Sequence, residues 1–101
     1  MPVNESGNNA EIVGGFSQGL VTVGTTEVEA KVGGTRRDGR QMLRVYNKSN
    51  NIVYFGPTGV TTTTGEPIEK KQWVNIPASD SLALFLIAGS AANDVIVSEW
   101  S

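Results

Sequence analysis

The side chains available for chemistry in this chain are ten carboxylates, four closely spaced arginines and a threonine-rich loop; histidine and cysteine are absent. That absence removes the Ser–His and Cys–His nucleophile systems, the usual zinc ligand sets and any disulfide. Two carboxylates can in principle share acid–base work. Here they are scattered, and Glu27, Glu29, Glu66 and Glu69 fall on wet strand faces or in loops. No acidic run has the Asp/Asn/Gly spacing of a calcium loop. Gly14-Gly15 and Gly33-Gly34 lack the lysine and the helix start of a phosphate cradle. No catalytic residue, cofactor or metal is expected, and the chain does not read as an enzyme.

The arginines Arg36, Arg37, Arg40 and Arg44 gather around one turn, with Lys48 nearby. They could form a positive patch for an acidic surface or a phosphate, but arginines at a turn read first as solvated side chains. Apart from Tyr46 they lack the interleaved aromatics that single-stranded nucleic acid needs. A net charge of −2 also argues against a nucleic-acid partner. No apolar run approaches the ~20 residues of a membrane-spanning helix, and no secretory leader is evident. The Asn4-Glu5-Ser6 and Asn47-Lys48-Ser49 sequons read as chance matches without such a leader.

The elements that must position these residues are β-strands. At 101 residues the chain is one domain's length, and the apolar fraction is a modest 39%. Residues 1–19 mix Pro, Asn, Ser and Gly with unperiodic apolar residues, and are expected to be a flexible arm preceding a domain over 20–101. The arm is either a frayed terminus or a segment that orders against a partner through Ile12, Val13 and Phe16. Beyond it, strands are expected over 20–23, 27–32, 41–47, 52–55, 72–76, 82–88 and 94–99. Glu27 to Val32 alternates polar and apolar, while Leu82 to Ala88 is apolar on both faces. Asp38-Gly39 signals a tight turn, Pro77 stops a strand, and Gly56 to Pro67 reads as a Gly/Pro/Thr loop. About seven short strands without a helix give an all-β antiparallel sandwich or barrel, jelly-roll or immunoglobulin-like. Leu43, Val45, Val74, Ile76, Leu82, Leu84 and Leu86 are its expected core.

The segment Leu43-Arg44-Val45-Tyr46-Asn47, then Ile52-Val53-Tyr54-Phe55-Gly56, Gly59-Val60-Thr61, Thr64-Gly65 and Pro67-Ile68, resembles a pattern found in small virion proteins of tailed bacteriophages. The resemblance covers about Met42 to Trp100. It implies an all-β accessory protein of the capsid, head fibre or tail, oligomeric and non-catalytic, assembled in the host cytoplasm and carried on the virion. Its partners would be copies of itself and other virion proteins such as the major capsid protein.

An apolar second strand face needs a cover. Ile12, Val13, Phe16, Phe85, Ile87 and Trp100 are accordingly the expected interface of a homo-oligomer, a trimer or pentamer on virion symmetry, or of docking on a shell. The alternative is a fibre-tip module that binds a host glycan or protein through the loop residues Gly59, Val60, Thr61, Thr64, Gly65 and Pro67. Exposed aromatics such as Tyr54 and Trp73 would assist it.

Overall fold

A computed structural model of the chain describes residues 15–101. Eight strands form: β1 (Phe16–Val23), β2 (Val28–Glu29), β3 (Met42–Asn47), β4 (Val53–Gly56), β5 (Glu66–Ile68), β6 (Trp73–Ile76), β7 (Phe85–Ala88) and β8 (Asn93–Trp100). They make two antiparallel four-stranded sheets, β1-β8-β3-β6 and β2-β7-β4-β5. The pairs β1·β8, β2·β7, β3·β6 and β4·β5 are those of one long hairpin, its first four strands antiparallel to its last four. Rolling that ribbon up sends alternate pairs to alternate sheets, which is the jelly-roll winding. The all-β sandwich expected from the sequence is present, with eight strands in place of about seven.

Side-chain alternation sorts each strand into a core face and a wet face. In the first sheet Val23, Leu43, Val45, Val95 and Val97 point inward and are fully buried; Val53, Ile68, Leu86 and Ala88 answer from the second. Each Val, Leu and Ile among them contributes roughly 1.5–3 kcal/mol by leaving water. Val74 and Ile76 pack at the margin of this cluster.

Four sequence expectations change. Residues 16–19 are not arm but the start of β1, which pairs with β8 along its whole length, from Phe16 opposite Trp100 to Val23 opposite Asn93. No alternation of apolar residues announces this, because the inward positions are Ser17 and Gly19. A side chain at Gly19 would meet Val32 Cγ1 at 3.1 Å, so the close approach favours glycine. Ile12 and Val13 lie outside the described residues.

Leu82 is not core. The regular strand begins at Phe85, Leu82 closes a turn onto the Ser79 carbonyl, and its side chain is 46% exposed. The loop from Gly56 ends early, since Glu66–Ile68 pairs with β4 as an edge strand where Pro67 is tolerated. Regular pairing in the strand expected over 27–32 covers only Val28–Glu29, extended by the Ala30 amide donating to Leu84 O at 2.8 Å.

Candidate functional site

The outer face of the first sheet is ordered in rows that follow from strand register. Phe16, Trp100 and Met42 lie side by side across β1, β8 and β3. Two residues along comes a polar row, Gln18, Ser98, Arg44 and Asn75. A third row, Leu20, Ile96, Tyr46 and Trp73, is apolar again. A polar stripe thus runs between two apolar ridges set about 13 Å apart, the rise of four strand residues. A groove of about 220 Å³ follows it, lined by Phe16, Gln18, Arg44, Tyr46, Trp73, Ile96, Ser98 and Trp100.

Arg44 occupies the middle of the stripe. Its Cζ lies 5.6 Å from the ring centroids of both Trp73 and Trp100, so the guanidinium is held between a ring from each ridge. Its Nε donates to Asn75 Oδ1 at 2.8 Å, which helps fix the plane of the fork, and the side chain lines the groove. Gln18 Nε2 donates to Ser98 Oγ at 3.3 Å, and the Phe16 and Trp100 rings meet at 4.9 Å between centroids. Three of the four large apolar residues most exposed among the described residues, Phe16, Leu20 and Trp73, stand on this face. Large apolar side chains grouped on one exposed face make it the candidate interaction surface.

The expected interface residues do not form one surface. Phe16 and Trp100 belong to this face, but Phe85 and Ile87 are on β7, half-buried on the outside of the opposite sheet. They sit there beside Tyr54, which pairs with Ile87. Tyr54 and Trp73 consequently cannot touch one ligand as a pair.

The 56–67 loop residues turn largely on themselves. Val60 is buried at 5% exposure, with its amide donating to Pro57 O. The Thr61 and Thr64 hydroxyls bond each other at 3.1 Å and accept from the backbone amides of Thr61, Thr63 and Thr64. The Gly59 amide donates to Glu27 Oε1 at 2.7 Å. Gly65 lies against Tyr54, Val60 and the Thr61 carbonyl, and Pro67 is in β5.

The arginine cluster is not simply solvated. Arg40 is fully buried and donates from Nη1 to Glu99 Oε2 at 2.8 Å, from Nε to Ala78 O, and from Nη2 to Ser79 O and Leu82 O. Glu99 accepts in addition from the Val32 and Arg37 amides. One ion pair therefore pins the loops 30–41 and 77–84 to the end of β8. Arg37 bonds Ser101 Oγ and Ser17 Oγ, and Arg36 bonds Glu29 Oε2 at 2.5 Å, so Glu29 is ion-paired rather than simply wet. At the opposite end, Asn47 donates to Asn51 O and Ile68 O while Asn93 donates to Val23 O and Ser90 O. These are structural ties.

A surface hollow of about 620 Å³ lies near Ile52, Tyr54 and Thr62. It is wide and shallow, and Asn51 within it is already bonded to Asn93. The smaller groove over Arg44 has the more distinctive chemistry. Among the described residues no three carboxylates gather as a metal site would require. Searches against family models, curated proteins and solved structures returned no match to the chain.

Proposed function

We propose that this chain is a non-enzymatic docking module that adds to the surface of a larger protein particle through the outer face of its first sheet. One observation carries the proposal. Both tryptophans of the chain, one arginine and one tyrosine line a single groove on the outer face of a four-stranded sheet. Trp, Tyr and Arg are the residues enriched at the energetic centres of protein interfaces. The setting implied by the sequence resemblance is a tailed-phage virion, with the chain as an accessory protein on a capsid, fibre or tail. Jelly rolls serve in capsids and in lectins alike, so the winding itself is compatible with this role without selecting it. Contacts between copies, in a trimer or pentamer, fall in this reading to the second sheet's outer patch of Tyr54, Phe85 and Ile87.

The test is quantitative mass spectrometry of purified particles. A decorating role requires the chain in hundreds of copies per particle. A handful would indicate a receptor-binding tip instead, and absence from the particles would end the reading.

A further inference from the structure

We infer that the groove over Arg44 is a carboxylate socket, so that the docking partner presents an aspartate or glutamate flanked by apolar residues. The inference rests on the docking proposal and adds the chemistry of the partner's anchor.

Charge carries the argument. Arg44 is the charged residue lining the groove. At the far end of this face Asp94 lies four residues along β8 from Ser98, bonded by Thr22 Oγ1 at 2.9 Å and next to Lys48, whose amide donates to the Asp94 carbonyl. Arg44 spends one donor, Nε, on Asn75. Its position over both the Trp73 and Trp100 rings restrains the guanidinium, and a carboxylate matches the Nη edge of such a fork with two parallel hydrogen bonds. The flanking rings keep water from the sides of that contact, which strengthens it relative to an open ion pair.

The apolar ridges set what must surround the carboxylate. They stand on both sides of the stripe, so the partner's acid needs apolar neighbours in both directions. A second copy docked about a two-fold axis uses the same patch on both subunits, so Arg44 would meet either the other Arg44 or a face whose carboxylate, Asp94, is already bonded by Thr22. Like charges in such a contact are unfavourable. The occupant is therefore a different protein surface.

The groove contains both of the chain's tryptophans, so their two indole N–H resonances report directly on it. Full-length 15N-labelled protein is titrated with the blocked peptide acetyl-Leu-Asp-Leu-amide, with its Asn counterpart, and with sialyllactose. The Asp peptide should shift both indole signals saturably and bind more weakly as salt rises. The Asn peptide, and the Asp peptide on Arg44→Gln, should bind about tenfold to a hundredfold more weakly, the loss expected for one charge-assisted contact. Equal binding of Asp and Asn peptides overturns the socket, as does failure of the Asp peptide to move either indole. Tighter binding of sialyllactose would make this an acidic-glycan site and equally overturn it.

Docking of the full chain to particles separates this inference from its premise. If Trp73→Ala loses docking while Arg44→Gln keeps it, the docking face stands and the socket falls. If both variants dock normally, the docking face itself is wrong.

Discussion

Replacing Arg40 with methionine should destabilise the chain by about 3–5 kcal/mol, the usual consequence of removing one member of a buried ion pair. The side chains of Arg40 and Glu99 are 0% and 1% exposed, so solvent cannot take over their roles. Arg40→Met removes four hydrogen bonds and strands the Glu99 carboxylate on two backbone amides. Total stability for a domain of this size is about 5–15 kcal/mol. With an m-value of about 1.5 kcal/mol/M, the urea midpoint should fall by about 2–3 M.

The double variant Arg40→Met/Glu99→Leu is more telling. Many buried ion pairs can be exchanged for apolar residues at little cost. Here the exchange also strips partners from the carbonyls of Ala78, Ser79 and Leu82 and from the amides of Val32 and Arg37. The Ala78 bond is fully buried, and an unmet buried carbonyl alone costs about 1–3 kcal/mol. The double variant should therefore remain at least about 2 kcal/mol below the parent in urea unfolding. Recovery to within about 0.5 kcal/mol would show that the pair does not organise the loops.

Core and turn positions give further checks. Leu86→Ala and Leu43→Ala should each cost about 2–5 kcal/mol, whereas Leu82→Ala, at an exposed position, should cost under about 1 kcal/mol; chemical denaturation separates them. Gly65→Ala would place a methyl 2.7 Å from Tyr54 Cβ and 3.0 Å from the Thr61 carbonyl, and should lower the urea midpoint by an overpacking cost of about 1–3 kcal/mol. Light scattering on Phe85→Glu should show loss of any self-association of the parent, and unchanged oligomers would remove the second sheet's patch from the assembly reading.

Much of the sandwich was legible in the sequence because alternation was clean where one face is buried. Leu43 and Val45 against Met42, Arg44 and Tyr46 is the arrangement found in β3. Legibility failed where small or polar residues occupy the inward side. Ser17 and Gly19 hide the first half of β1, and its order comes from pairing with β8 rather than from local preference. Leu82 misled for the opposite reason: an apolar run continued past the end of the strand into a turn held by Arg40.

The buried pair did leave a signal. Glu99 shares the parity of Val95 and Val97, and a carboxylate on a core face demands a cation. Four arginines at one turn offered it. The aromatic face was legible only in Phe16 and Trp100; that Arg44 and Trp73 join them was not, because the four come from four strands. Only the order β1-β8-β3-β6 makes them neighbours.

The central claim is that this face, and not the 56–67 loop, meets the partner. It is tested most directly by measuring the affinity of Trp73→Ala and Thr62→Ala chains for particles that lack the protein, alongside the urea midpoint of each. Trp73 is 56% exposed, so its loss should cost folding no more than about 1–2 kcal/mol while weakening docking by about thirtyfold or more, the scale of an interface hot spot. Thr62→Ala should dock like the parent. Undiminished docking by Trp73→Ala, with docking lost on Thr62→Ala, would contradict the account.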